Sequence, residues 1–443
     1  MNSNLQNNQY DLIIIGGGAA GQMAAISAKR KSPELKVAIL DRTFALGRKI
    51  LVCGAGRCNI TNINLDKSIN DHYYSTNPTF PERILKQFGY KDILNFFEDL
   101  GIELYVERKT NIGKLFPITD SAKTVTALLE DELDRLNIDV HLNTDVTRID
   151  VLRQAQDDKI RNEKNRFELT ASILNIEGKE IRHSSFITRN LIISAGGKTY
   201  PALGSNGSGY DISRPFGHNI IKPVPSALPL VSKNPLSHEL QGVKMEIEVT
   251  SIINNKEIKT RTDDVMFTQY GFSGPAILNI SREISIHINR EEKSGVQIKL
   301  NFFPGKSPEQ VTKLMETRWT KRPDQTLEKS LFGIFPNKIP AALLRVININ
   351  KDLPVNQLST TQRSEIIQLL TSFTADISAT RGWNEAEFTA GGIDTTEINN
   401  DTLESQKIPG LYFCGEILDV DGDVGGFNLS WAWSSGYVAG LLK

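Results

Sequence analysis

Gly16-x-Gly18-x-x-Gly21 follows the apolar run Leu12–Ile15 and opens a stretch of helix-forming composition, Ala19–Lys31. A second apolar run, from Val37, ends in Asp41, 20 residues after the third glycine. Glycines at this spacing between a strand and a helix bring a backbone close to a pyrophosphate. Gly16 permits the turn, Gly18 leaves room for the anion, and Gly21 lets helix and strand pack closely. The free amides and dipole of the helix then favour negative charge, and Asp41 can accept hydrogen bonds from a ribose diol. The chemistry indicated is dinucleotide binding, and the fingerprint alone does not separate FAD from NAD. Arg42, next to the acid, fits stacking on adenine better than reading a 2′-phosphate.

Two further constellations invite chemistry. Cys53 and Cys58 have the spacing of a redox dithiol that would take electrons from a flavin and pass them to a disulfide. Against this, no second Gly-x-Gly-x-x-Gly unit lies downstream, since 204–209 has a different glycine spacing, and no His and Glu pair stands near the carboxyl end as a thiol base. Asp419-x-Asp421-Gly422-Asp423 resembles a calcium loop but lacks its glycine, where Val424 stands, and its bidentate acid, where Ser430 stands, so no metal site is expected.

The elements that must position these residues alternate strand and helix at both ends of the chain. The first 150 residues read as strand, helix, parallel strand, then a helix over Ser121–Leu136 capped by Asp120 or Ser121 and a strand over 139–150. A polar loop, Arg153–Asn165, joins this to strands at 166–173 and 191–194. From Lys222 three prolines mark a crossing, and alternating strands such as Met245–Ile253 and Gly295–Phe302 follow. Helices come next, the first opened by the capping sequence Ser307-Pro308-Glu309-Gln310. Strand-and-glycine patterning returns at 387–393 and 410–414, before a closing helix over 428–442. The expected architecture is α/β: a discontinuous Rossmann-like FAD-binding domain, 1–221 and 386–443, interrupted by an insert at 222–385 that is β-rich and barrel-like over 222–305 and helical over 306–371.

Three long runs are more specific than the opening glycines: GRKILVCGAGRCNITN at 47–62, GLYFCGEILDVDG at 410–422 and GGFNLSWAWSSG at 425–436. They resemble the signatures of the BaiN/RsdA/aminoacetone-oxidase-like group of bacterial flavoproteins, and the resemblance extends from Asp11 to the carboxyl end. It implies non-covalent FAD and places Gly47, Arg48, Lys49, Gly54, Gly56, Cys58 and Asn59 along the cofactor, with Gly196 and Gly197 in a second close-passing segment. Gly415 and Glu416 stand where many such proteins hold the ribityl chain. Gly425, Gly426 and Asn428 fall at a helix end aimed at the flavin pyrimidine, and Val146 is counted in the same set. The segment 204–210 resembles one bordering the active cavity, which makes Tyr210 a candidate proton donor. In the family's Phe-Thr-His-x-Gly run, Gln269 replaces the histidine, leaving Tyr270 as a second candidate. Arg57 is a third catalytic candidate, as a charge facing flavin or an anionic substrate. Trp431 and Trp433 read as core. NAD(P)H is a candidate donor docking transiently between the FAD domain and the insert, and the group's activities span reduction of unsaturated sterol-like acids and oxidation of small amines.

Composition narrows the class. At 443 residues the chain has room for about three domains, and 51 basic against 52 acidic residues leave a net charge of −1. That balance argues for a small-molecule substrate and against a nucleic-acid surface. Three cysteines do not make a disulfide framework. No basic-then-apolar leader and no apolar stretch of ~20 residues is present, so a cytoplasmic protein without membrane contact is expected. The sequence leaves the oligomeric state open. Two rival readings remain, a dithiol reductase using Cys53 and Cys58 and a flavin-dependent redox-responsive binding protein.

Overall fold

The computed structural model describes residues 8–107, 113–152, 166–175 and 177–443. The loop expected over Arg153–Asn165 and most of the amino-terminal stretch lie outside the described residues. The chain divides into two compact units, one formed by residues up to Pro223 together with Phe388–Lys443, the other by Val224–Glu387.

The first unit is built on parallel strands in the order Asp139–His141, Val37–Leu40, Gln9–Ile15, the second half of Glu180–Ile193, and Leu411–Phe413. Every residue of Leu12–Ile14, Ala38–Ile39 and Leu191–Ile193 is inaccessible to water, as expected of a sheet covered on both faces. The register aligns Ile15 with Leu40 and Ile193, and Ile193 with Phe413. The four residues that follow, Gly16, Asp41, Ser194 and Cys414, therefore leave the sheet together at its carboxyl edge. Ligands of open α/β sheets bind at this edge. The first half of Glu180–Ile193 instead pairs antiparallel with Arg166–Leu174, which pairs with Thr144–Leu152.

Helix Ala19–Lys31 packs directly on the closing helix Phe427–Gly440, and the small residues explain the close approach. A Cβ on Gly436 or Gly440 would lie 2.3 Å from the carbonyls of Ala20 or Ala24. Trp431 and Trp433 are buried beside them, their indole N–H groups donating to Gly415 O and Ile60 O, both at 3.1 Å. The expected helix at 121–136 forms over Ala122–Arg135, but Ser121 makes no side-chain cap.

In the second unit a seven-stranded antiparallel sheet runs in the order Phe373–Ile377, Val296–Asn301, Lys244–Ile253, Lys256–Thr268, Gly271–Ser273, Leu230–Val231, Ala379–Thr380. Its first and last strands are separated by Ser378 alone. Ser378 N donates to Val231 O at 3.0 Å and Ser232 Oγ to Asp376 O at 2.7 Å, so the two ends of the sheet meet and it curls on itself. Helices Pro308–Lys321, Leu327–Leu331, Lys338–Val346 and Thr360–Ser372 follow, the first with the expected reciprocal cap between Ser307 and Gln310. Among the described residues no helix is long and apolar enough to cross a membrane.

Candidate active site

The fingerprint occupies its expected place. Gly16 has φ +98°, and a Cβ there would lie 2.7 Å from Ser194 O; one on Gly21 would lie 1.9 Å from Gly16 O. Around Gly18, by contrast, nothing lies within 4 Å of the position a Cβ would take. The loop is thus tight where strand meets helix and open where an anion would sit. Helix Ala19–Lys31 has no side-chain cap and no acid in its first turn, so its leading amides keep their capacity for a phosphate. Asp41 is oriented by its own loop: Oδ2 accepts Gly17 N at 2.7 Å, and Oδ1 accepts the amide and hydroxyl of Thr43, both at 2.7 Å. Arg42 pairs with Asp145 at 3.6 Å. Burial raises the Asp145 pKa against the pull of that guanidinium. Val146 is the next residue of the same strand and is buried.

Gly47, left-handed at φ +61°, donates its N–H to Gly17 O at 2.9 Å and opens the short helix Arg48–Val52. The Arg48 guanidinium lies 4.5 Å over the exposed ring of Phe44. The Lys49 ammonium reaches the opposite end of the sequence, meeting Glu416 Oε2 and Thr199 Oγ1 at 2.6 Å each. Glu416 Oε1 accepts from Thr389 N at 2.8 Å and Thr199 Oγ1 at 3.1 Å. A single carboxylate, in the segment that follows strand Leu411–Phe413, therefore joins the short helix at Lys49, the segment after strand Glu180–Ile193 and the strand Phe388–Ile393. Thr199, two residues past Gly197, and Thr389 carried no sequence signal.

Asn59 is buried, and among the described residues its Oδ1 has no hydrogen-bond partner. A Cβ on Gly426, the φ +103° residue that starts the closing helix, would lie 3.0 Å from that oxygen and 2.6 Å from Thr61 O. This helix also begins without a side-chain cap or an acid in its first turn. An orphaned buried acceptor next to an uncapped helix start is an incomplete polar site. The Tyr210 hydroxyl is a second buried orphan; burial, with the charges of Glu416 and Asp419, pushes its pKa well up. Open space at Gly18, an oriented Asp41 and unpartnered polar atoms at Asn59 and Tyr210 fit an elongated dinucleotide with a polar ring at its far end.

Several of the expected residues are engaged within the protein itself. Asn428 is occupied: Oδ1 accepts Gly422 N at 2.9 Å, while Nδ2 donates to Gly422 O at 2.8 Å and Asp423 O at 3.3 Å, clamping the loop before the helix. Arg57 is not aimed at an anion, because it pairs with Glu107 at 3.0 Å and lies 4.0 Å over the Phe116 ring. Tyr270 belongs to the second unit, where Arg381 covers its ring at 4.6 Å. Cys53 and Cys58 are not joined in a disulfide, and burial first, then the nearby Cys53, raises the Cys58 pKa well above its ordinary value. The mid-chain His218 does pair with a carboxylate nearer the carboxyl end. His218 Nδ1 lies 3.1 Å from Glu397, but its Nε2 meets Ser405 Oγ at 2.8 Å, and no thiol is involved.

The fold and the site define a Rossmann-type scaffold for binding a dinucleotide. The family model described as "HI0933-like protein Rossmann domain" matches residues 10–442, and the chain belongs to that family. It is 35% identical over 428 residues to the 3-dehydro-bile acid delta(4,6)-reductase of Clostridium scindens, covering 96% of this chain and 97% of that protein. To the ribosomal RNA dihydrouridine synthase of Escherichia coli it is 32% identical over 429 residues, 97% of this chain and 96% of that one. The protein of that name from Haemophilus influenzae is 29% identical over 441 residues, 98% of each. The resemblance to BaiN/RsdA-type flavoproteins is therefore upheld, and the chain is an FAD-dependent oxidoreductase. The near-neutral charge does not decide against nucleic acid, since two of these relatives are named for ribosomal RNA.

Proposed function

We propose that this protein reduces a carbon–carbon double bond conjugated to a carbonyl group. The observation that carries the reading is a shared reaction type behind two different names. One relative is named as a reductase of the 4,6 unsaturation of a 3-keto steroid acid, the others for converting uridine to dihydrouridine. Both names describe adding two hydrogens across an alkene activated by a carbonyl, and both relatives align over nearly the whole chain.

Bound FAD supplies two-electron hydride chemistry, and the protein contributes binding, orientation and electrostatics. The helix beginning at Ala19 and the Asp41 carboxylate hold the pyrophosphate and ribose. Lys49, Thr199 and Thr389 fix Glu416 along the middle of the cofactor. Asn59 Oδ1 accepts from the polar ring edge, and the uncapped start of the helix at Phe427 stabilises negative charge developing there. NADH or NADPH is proposed as the donor, a visitor rather than a resident, since the chain carries one dinucleotide fingerprint.

Anaerobic titration with NADH and NADPH, followed by mixing with 2-cyclohexen-1-one, a 3-keto-4-ene steroid, uridine and ribosomal RNA, tests this reading. Bleaching of the flavin and its reoxidation by at least one activated alkene are expected. Bleaching by small amines instead, with reoxidation by oxygen alone, would replace it with an amine oxidase.

A further inference from the structure

Saturating an activated alkene takes a proton as well as a hydride, and the residues singled out from the sequence do not supply an obvious donor. Arg57 and Asn428 are engaged elsewhere, and Tyr210 is fully enclosed. The loop Asp419–Asp423 and the segment Asp71–Tyr74, which sequence reading passed over, meet beside the closing helix. Tyr73 and Tyr74 pair as a short antiparallel ladder with Gly422 and Asp421, and Asp423 N donates to His72 O at 2.9 Å. Tyr73 Oη donates to Phe427 O at 2.7 Å. The His72 imidazole stacks on the Phe427 ring, centroids 4.2 Å apart and planes inclined by 19°. Phe427 directly follows Gly426, whose Cβ position lies 3.0 Å from Asn59 Oδ1, so the ring that His72 stacks on belongs to the helix turn bordering this polar edge.

Within this arrangement His72 Nδ1 lies 3.3 Å from Asp423 Oδ2, whose other oxygen accepts from Tyr74 Oη at 3.0 Å. Asp423 is buried, with a side chain 8% exposed, while the His72 side chain is 24% exposed. No hydrogen bond to His72 Nε2 exists among the described residues. A buried carboxylate that fixes one ring nitrogen of a partly exposed imidazole, the other having no hydrogen-bond partner among the described residues, is the arrangement of an oriented general acid. Asp423 and Tyr74 are the titratable groups that touch it, and Asp419 and Asp421 lie on the same buried loop.

We propose that His72, oriented by Asp423, is the catalytic acid, an assignment that rests on the alkene-reductase reading. As the π bond opens, the β-carbon takes a hydride equivalent from the reduced flavin and the α-carbon takes the Nε2 proton of the imidazolium. Two C–H bonds form, the flavin is oxidised, the alkene is reduced, and the neutral imidazole regains its proton from water.

The test compares the FAD-loaded wild type with His72→Gln and Asp423→Asn after anaerobic reduction by dithionite. Ferricyanide, which removes electrons without protonating carbon, is expected to reoxidise all three at the same rate. Reoxidation by 2-cyclohexen-1-one is expected to fall about 100-fold or more in His72→Gln. A smaller loss is expected in Asp423→Asn. Without turnover, the labelled His72 imidazole resonance of the oxidised wild type should move when 2-cyclohexen-1-one is added. Equal rates for wild type and His72→Gln, or an unmoved resonance, would overturn the acid assignment alone. If the reduced wild type reacts with no activated alkene, the functional reading falls and the assignment with it. Equal losses with ferricyanide and cyclohexenone would show His72 to be merely structural.

Discussion

Lys49 and Glu416 stand 367 positions apart in the sequence, and the ammonium of one lies 2.6 Å from a carboxylate oxygen of the other. Their side chains are 30% and 21% exposed, so the pair is neither freely solvated nor sealed in the core. Lys49→Met leaves Glu416 charged among Thr199 and Thr389, with its attraction lost and much of its desolvation retained. The expected cost is about 1–3 kcal/mol in urea unfolding of the apoprotein, between the values for exposed and buried pairs. The double variant Lys49→Met/Glu416→Gln is expected to recover part of it, because the amide oxygen still accepts from Thr389 N. An additive double variant would show the pair to be uncoupled.

Gly18 separates binding from folding. Its φ of −74° suits any residue, and beyond its chain neighbours no described residue comes within 4 Å of where a Cβ would be. Gly18→Val is therefore expected to cost the apoprotein about 1 kcal/mol, the poorer N-cap preference of Val, and to lower its melting temperature by only about 2–4 °C. The same side chain would occupy the space assigned to the pyrophosphate. The purified variant is expected to lack the flavin absorption of the wild type, and FAD affinity measured by fluorescence quenching should fall at least 10-fold. A Gly18→Val protein that purifies yellow would displace the pyrophosphate from this loop.

Much of the sheet edge was legible because four of the five parallel strands are short apolar runs that end abruptly at Gly16, Asp41, Ser194 or Cys414. The curled sheet and helices of the second unit announced themselves through alternation and the Ser307 cap. What stayed hidden was made by single long-range contacts without periodicity. The ladder that brings His72 to Asp423 is two residues long on each strand, too short for any pattern. The occupation of Arg57 by Glu107 and of Asn428 by its own preceding loop depends on backbone paths that residue types do not encode. His218 and Glu397 are separated by 179 positions, which is why a His and Glu pair went unseen.

The thiols offer a direct check on the dithiol alternative. Cys58 is inaccessible to water, and burial holds its thiol in the protonated, unreactive form, whereas Cys53 is partly exposed. In native protein a maleimide is expected to label Cys53 and to leave Cys58 and Cys414 until denaturant is added. Cys53→Ser is expected to keep wild-type turnover, and two-electron reduction should give no long-wavelength thiolate-to-flavin band. Appearance of that band in wild type and its loss in Cys53→Ser would restore the redox pair.

His218 sets the acid side of stability. Ser405 Oγ already accepts from Lys407 N at 3.1 Å and Ile408 N at 3.0 Å, so its remaining role toward His218 Nε2 is to donate its own proton. The imidazole is thereby neutral, with Nδ1–H directed to Glu397, and protonating Nε2 would set two donors against each other. Burial lowers the His218 pKa despite the facing carboxylate of Glu397. Unfolded histidine takes its proton near pH 6.5, before the folded one does. Stability from this group is therefore complete above about pH 6.5 and is lost as the pH falls through the lower folded value. Against burial, Lys407 and the Asn219 amide hold Glu397 below the usual range, so a second loss begins below about pH 4.5. Melting temperature measured from pH 8 to pH 4 is expected to bend downward below pH 6.5 in wild type. His218→Asn should start lower, having lost buried contacts, and run flat across the first window. A variant curve parallel to wild type between pH 6.5 and 5 would remove His218 as the source of the bend.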